Sequence, residues 1–582
     1  MIRSRAFVKS RGGTMQLIKI LAICFLLLFP QQVTGNIIVG FPPVDISAPP
    51  PPPEVYTETH YVTQYGAGAQ TGRSLANAWS VANFNNVANW STNNSLDGKI
   101  GPGDIVYFSG TITSPLIIPG SGDASGYVTF DGYEAGDQSP IVNGTNPGSA
   151  VINYASGYGI QIDNKKYLSF QDLAITGQQG VLLRGSAIGE TEWSEHIVFR
   201  RNYFYRTTNG AFQQTCQTTG GYANTGVKYL TIGGERGQGN YFWDCKYATY
   251  EGHILGVNKF EDVVISYNKI VNASSTEQSG QNNIACHTGR RILVEYNEVG
   301  RSRGQTGITM KEDGTSDFIV RFNHVWGSGG AGNSTNRNAY NGYVYGNKFT
   351  GGARGVAPGK DSENIYIFSN LMVDNGRNGI NIQIQTSGTY ATNNSHFYNN
   401  TIVNNNLEIG ADGWNGGIFS TNTAAATDGV FFKNNIISEN AATASNVELA
   451  FGDNRNIFTD YNCVYNSNGT AKWVWSPSSN FTIKTLAEMQ ALGQEQNSFI
   501  ANPRLTDDYA LNQDSPAVAS GDVLSSPAGW DVPTIQGVDY STEVGIDIGL
   551  DPDNTDWTTT PPTVGVLTRT GAWDLGAYVY VE

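Results

Sequence analysis

A short phrase, apolar–x–x–Asn–x–apolar, recurs along the middle of the chain. It is present at Ile265–Asn268–Ile270, Val294–Asn297–Val299, Val320–Asn323–Val325 and Val344–Asn347–Phe349, and continues through Asn370, Asn400, Asn435 and Asn462, with an earlier instance at Asn202. From Asn268 onward these asparagines stand 29, 26, 24, 23, 30, 35 and 27 residues apart. Self-similarity at such a period marks a solenoid, a propeller or an array. Each unit holds short alternating runs and Gly/Asn turns with no helical period. The expectation is an all-β fold, a single-stranded right-handed parallel β-helix with capped ends, in which one Asn per coil stacks as a ladder. Residues one period apart then become neighbours about 4.8 Å apart, so functional groups are to be sought as columns.

A length of 582 residues would ordinarily suggest several domains, but a solenoid grows by adding coils rather than cores. Residues 1–35 read as an export signal: a basic start, an apolar core over Ile20–Pro30 too short to cross a bilayer, and small residues at Val33-Thr34-Gly35. Met15 is a candidate for the true start. Residues 36–55 form a Pro-rich linker, 56–160 an N-terminal cap with the first coils, 161–470 the coils with the ladder, and 471–582 the last coils and C-terminal cap. The predicted location is secreted, periplasmic or cell-surface, with no membrane span in the mature chain, acting as a monomer. Beyond the signal, Cys216, Cys245, Cys286 and Cys463 make no disulfide framework and show no metal-ligand spacing. Cys216 and Cys245 lie one period apart, which allows either a bridge or two buried thiols.

The net charge of -15 disfavours nucleic acid and anionic membrane as partners. Between Cys286 and Lys360, however, ten basic residues face five acidic ones. A cationic segment on an acidic body suggests an anionic ligand held at one place. Stepping back from the ladder, His287 lies ten residues before Asn297, Lys311 twelve before Asn323, Arg337 ten before Asn347 and Lys360 ten before Asn370. These four are expected to stack on one sheet edge. Like charges in a column repel unless something anionic lies across them. Such a column suits β-elimination of a uronic acid polymer. The C5 proton is weakly acidic, the enolate-like intermediate needs fixed cations or donors, and a lysine among cations can serve as base. Tyr340, and Tyr343 beside it, are candidates for stacking on a sugar ring, and Arg354 for a subsite.

Ile308-Thr-Met-Lys311 followed by Val320-Arg-Phe-Asn323-His-Val resembles the polysaccharide lyase family that contains chondroitinase B and many alginate lyases. The phrases Asn512-Gln-Asp-Ser-Pro-Ala-Val and Trp573-Asp-Leu-Gly-Ala-Tyr likewise resemble the ends of secreted bacterial β-helix proteins of the pectin lyase-like fold. The lyase resemblance implies Lys311 as the base and Arg337 as the acid, acting on an anionic polysaccharide. Arg321 matches the Arg that precedes the ladder Asn, and with His287 and Lys360 it is expected to neutralise charge or line a subsite. The chain departs from the pattern: Glu312 follows the Lys, the turn is longer, and Gly304 and Thr306 stand where many members hold two calcium-binding carboxylates. No cofactor is required by these residues, and calcium stays open without its usual ligands. Two other classes fit part of the sequence. Glu251, Glu312 and Asp313 could supply the paired carboxylates of a glycoside hydrolase. The Asp-rich signatures of polygalacturonases are missing, and a non-catalytic carbohydrate-binding or adhesin protein would need only the signal, linker and repeats.

Overall fold

The structure, a computed structural model, describes residues 57–94, 96–132, 150–185, 193–215, 226–245, 253–272, 282–302, 305–311, 314–359, 361–382, 393–407, 416–420, 429–440, 447–451, 456–475, 482–527 and 530–581. The signal, the start at Met15 and the Pro linker lie outside them. The coil from residue 282 shows the repeating unit. Asn282–His287 belongs to a first sheet, Arg290–Glu295 to a second and Glu298–Gly300 to a third. Each strand pairs in parallel with the strand one coil on, as Ile284 with Ile308, Ile292 with Phe318 and Val299 with Val325. The second sheet runs to 15 strands. The chain is a parallel β-helix, wound in the right-handed sense that parallel crossovers take.

Alternation within each strand sorts side chains into two sets. In the first sheet Ile284, Cys286, Ile308 and Met310 point into the coil and join one continuous apolar core. Their neighbours Ala285, His287, Thr309 and Lys311 therefore point out of it. Between the second and third sheets the chain turns on a single left-handed residue. Tyr267, Tyr296, Phe322 and Ser369 have φ of 58°, 51°, 56° and 52°, and a ladder Asn follows each. A non-glycine residue in that region costs about 1–2 kcal/mol. The asparagines offset it. Asn323 Nδ2 donates to Val294 O at 2.9 Å and to Asn347 Oδ1 at 3.0 Å, and Asn347 Oδ1 also accepts from Asn323 N at 3.0 Å. The ladder runs Asn202, Asn240, Asn268, Asn297, Asn323, Asn347, Asn370, Asn400, Asn435 and Asn462, all buried. It ends on the buried Glu495, whose carboxylate accepts from Asn462 Nδ2 at 3.1 Å and Trp473 Nε1 at 3.0 Å.

A second ladder, absent from the sequence reading, lies five residues after the first. Asn375 N donates to Asn405 Oδ1 at 3.2 Å, and Asn405 N to Asn440 Oδ1 at 3.0 Å. This series also ends on a buried carboxylate, Glu448, which accepts from Asn440 Nδ2 at 2.9 Å. Cys245, Cys286 and Cys463 are buried free thiols. Cys216, the proposed partner of Cys245, lies outside the described residues.

The C-terminal segment doubles back over the outside of the coils. Asp522 N donates to Asn434 Oδ1 at 2.9 Å. Trp530 packs on Tyr343 and Tyr366, with centroids at 5.0 and 4.9 Å. Gln536 Nε2 donates to Leu230 O at 3.1 Å and Asp262 O at 3.0 Å. These contacts cover outward apolar groups of the second sheet such as Leu293, Ile319 and Tyr366. Ala510, Leu511, Leu575 and Tyr578 cover those of the third, Leu371, Val373 and Ile436. Two outer faces are thus occupied by the chain itself.

Arg321 belongs to this covering, which corrects its expected place in a substrate site. Only 5 % exposed, it pairs through Nε with Glu295 Oε2 at 2.8 Å, through Nη1 with Tyr345 Oη at 3.0 Å and through Nη2 with Glu543 Oε2 at 2.8 Å. It lies on the second sheet in register with Glu295 and Tyr345. Its partners use its donors and the returning segment buries it. Arg321→Ala is expected to cost roughly 2–3 kcal/mol, since hydrogen bonds to charged groups carry that much. Limited proteolysis should then cut residues 530–545 first; an unchanged cleavage pattern would contradict the anchoring role.

Candidate active site

The outer face of the first sheet keeps a polar strip across its middle coils. One outward column runs Gly256, Ala285, Thr309, Ser334 and Ala357. The next runs Asn258, His287 and Lys311, and the backbone of Asn336 pairs in register with Lys311. Lys311 and His287 thus stand side by side on adjacent strands, as the sequence suggested. Both point out of the coil yet are largely buried, at 8 % and 7 % exposure.

Arg337 does not occupy the column, which corrects the expectation. Asn336 pairs with Lys311, and Arg337 follows it in the turn with φ of 54°, exposed to solvent. The cause is turn length. Two residues separate His287 from the second-sheet strand, four separate Lys311 from it and three separate Asn336 from it. A fixed step back from the ladder therefore misplaces the next side chain by one. Arg337 still lies at the edge of the site, one residue beyond the register partner of Lys311. Tyr340 opens the next second-sheet strand at 39 % exposure. It lies close to Gly314 in the turn after Lys311, where an added Cβ would stand 3.7 Å from its Cε1. Lys311, Arg337 and Tyr340 therefore gather at the corner between the first and second sheets.

That corner is held from inside. Thr315, fully buried, donates from Oγ1 to Lys311 O at 2.7 Å and accepts from Thr288 N at 2.8 Å. Ser362 repeats the device two coils further, its hydroxyl lying 2.7 Å from both Thr335 O and Gly359 O. The backbone carrying Lys311 is fixed by hydrogen bonds that do not involve its side chain.

Two imidazoles complete the strip. His253 folds over Gly256, where an added Cβ would lie 3.3 Å from its Cδ2. Its ring meets His287 edge-on at 4.9 Å, and its Nδ1 lies 3.2 Å from Asn282 Nδ2. Asn282 Nδ2 is a donor, so Nδ1 of His253 accepts and its proton sits on Nε2. Burial first, then the charges of Lys311 and Arg337, push the His287 imidazole down to about 3. His287 is therefore a neutral group near pH 7. It can donate or accept a hydrogen bond but cannot add positive charge, which corrects its expected role as a cation.

His324 and His396 are pushed down to about 4 as well, chiefly by burial. With His287 they stay neutral in the folded chain while an unfolded chain takes up protons near 6.5. Below that value the unfolded state binds more protons, so their contribution is complete above about pH 6.5 and is lost as pH falls toward 3–4. The melting temperature is expected to fall steadily from about pH 6.5 to pH 4. A flat profile over that interval would contradict these assignments.

Of the other candidates, Arg354 opens a first-sheet strand at the end away from Lys311, in register with Ala331 and Asn378. Tyr343 is fully buried beneath Trp530 and takes no part in the site. Lys360, Glu251, Glu312 and Asp313 lie outside the described residues. Where the resemblance would place calcium ligands, Gly304 also lies outside, and Thr306 offers no carboxylate while its N–H donates to Asn282 Oδ1 at 3.0 Å. The set does not fit calcium there. The local cationic excess is also partly spent: Arg290 and Arg291 pair with Glu261 and Asp262.

No protein-family model and no curated protein matches the chain. Solved structures do. An alginate lyase from Paenibacillus is 13% identical, with 54% of this chain and 94% of that one covered at a TM-score of 0.37. A mannuronic acid specific polysaccharide family 6 lyase from human gut microbiota is 13% identical, with 70% and 86% covered at 0.41. A lacto-N-biosidase from Eubacterium ramulus is 10% identical, with 64% and 67% covered at 0.39. Alginate lyases, which the motif around Lys311 resembles, are thus among the similar structures. Likeness at this level carries no reaction with it.

Proposed function

We propose that the chain is an exported polysaccharide lyase that cleaves an anionic, uronate-containing polymer by β-elimination at the first-sheet corner. The observation that carries this reading is the register of Lys311 beside a neutral His287, with the Arg337 charge close by. Among the described residues, the returning C-terminal segment covers the second and third sheets and not the first, which supports a site on the first sheet.

In the proposed reaction Lys311 takes the C5 proton. The electron pair forms the C4=C5 bond, the C4–O4 bond breaks, and Arg337 delivers a proton to the departing O4. His287 contributes a hydrogen bond to the uronate carboxyl group. Arg337 supplies positive charge on the solvent side, and Tyr340 offers a ring face beside it. Charge stabilisation of the enolate by fixed donors is the largest effect such a site can supply. The reading needs no metal at this corner.

The test is ultraviolet absorbance together with reducing-end release on alginate, pectate, chondroitin and dermatan sulfates, hyaluronan and neutral glucans. Absorbance rising with reducing ends on a uronate polymer is the expected result. Reducing ends without absorbance would overturn it in favour of a hydrolase built on Glu251, Glu312 and Asp313. Binding without either signal would make the chain a carbohydrate-binding surface protein. Export is tested by the N-terminus of the mature protein, expected after Gly35.

A further inference from the structure

The first strand of the fold carries a second cluster of chemistry, remote in sequence from Lys311. Glu58, His60 and Asp104 are buried together, and one ligand atom from each lies within 4.8 Å of the others. His60 is 0 % exposed and neither of its ring nitrogens makes a hydrogen bond. Its ring is locked by stacking on Trp79, with centroids 5.0 Å apart and planes 12° apart. That stack aims Nε2 at Asp104 Oδ2, 3.5 Å away, and at Glu58 Oε2, 4.0 Å away.

The carboxylates are already oriented by the backbone. Asp104 accepts from Glu58 N at 2.7 Å and Gly101 N at 2.8 Å, and Glu58 Oε2 accepts from Gly98 N at 2.9 Å. A carboxylate oxygen that accepts one hydrogen bond keeps capacity for a further partner. Arg73, on Glu58 Oε1 at 2.5 Å, offsets one negative charge and not the other. A fully buried imidazole bonded to nothing is rare in a folded chain and calls for a missing partner. Two carboxylates would attract a cation there, and an imidazole nitrogen selects a d-block ion over calcium or magnesium. In a tetrahedral site with bonds of about 2.1 Å, neighbouring ligand atoms stand ~3.4 Å apart. The spacings at His60 need only a slight closure to reach that.

We infer that Glu58, His60 and Asp104 form a binding site for a divalent d-block cation of the zinc type. The ion would tie the strand Thr59–Thr63 to the loop 98–104 and so fasten the N-terminal end of the β-helix. The site is structural and independent of the reaction proposed for the first sheet.

The test uses the full chain stripped with a chelator and titrated with zinc chloride by calorimetry, with metal content measured after desalting. One zinc per chain is expected, with a melting temperature that rises on zinc addition. His60→Gln should weaken zinc binding by more than about a hundred-fold, since losing a ligand exceeds the effect of losing a group that only orients one, and its melting temperature should ignore zinc. Should His60→Gln fail to fold, Asp104→Asn serves the same purpose. No zinc uptake by the stripped wild-type chain, or equal uptake by the variant, would overturn the inference. So would a melting temperature that never responds to zinc in the wild-type chain.

Discussion

Lys311→Ala is expected to abolish turnover while leaving the β-helix intact. General base catalysis contributes about 10²–10⁴-fold, and removal of the only proton acceptor in the scheme should cost at least that. The fold should survive for a specific reason. Lys311 points away from the apolar core, whereas Met310 beside it points inward, and the corner is pinned through Lys311 O rather than its side chain. The wild-type and variant melting curves should lie within a few degrees of each other. Full activity in the variant would remove Lys311 from the chemistry. An unfolded variant would show that the side chain carries structure, and Lys311→Met would then separate the two roles.

The largest effect on stability is expected at the ladder. Asn323→Ala removes Asn323 Oδ1, the acceptor of Asn297 N at 3.0 Å and one of three acceptors of Asn297 Nδ2, which keeps Ile265 O and Glu295 O. It also takes the side-chain donor away from Val294 O and leaves Asn347 Oδ1 only the backbone N–H of residue 323. Each buried polar group left unsatisfied costs roughly 1–3 kcal/mol, so the loss should reach at least about 3 kcal/mol. Asn323→Asp should be nearly as damaging, because a carboxylate accepts but does not donate. Solenoids open locally, so amide exchange is the sharpest readout. Protection should fall at Asn297 and at the strands 316–321 and 340–345, and far less near the N-terminal cap. Unchanged protection there would mean that the ladder is not what closes the coil.

The fold was legible because the ladder Asn recurs in ten successive coils. It satisfies backbone groups on two coils at once, so it recurs even where the loops between strands differ in length. The second ladder was equally visible in principle: Asn375, Asn405 and Asn440 each stand five residues after a member of the first. Asn240 escaped because Gly233–Gln238 separates it from its apolar strand. The site was only half legible. His287 and Lys311 fall in register, but the next column position depends on a turn whose length changes from coil to coil, and Asn336 displaced Arg337. Arg321 was misread for another reason. Its partner Glu543 is 222 residues away in sequence, and no local pattern announces a C-terminal segment that returns over the second sheet. The neutrality of His287 was equally hidden, since it follows from burial rather than from the residues beside it in sequence.

The central claim is that the first-sheet corner breaks a glycosidic bond by elimination. Its most direct test is digestion of a uronate polymer in water enriched with heavy oxygen, followed by mass spectrometry of the oligosaccharides. Elimination predicts products with an unsaturated non-reducing end and no solvent oxygen fixed during bond cleavage. One heavy oxygen incorporated per bond broken, in saturated products, would mean hydrolysis and would contradict the account.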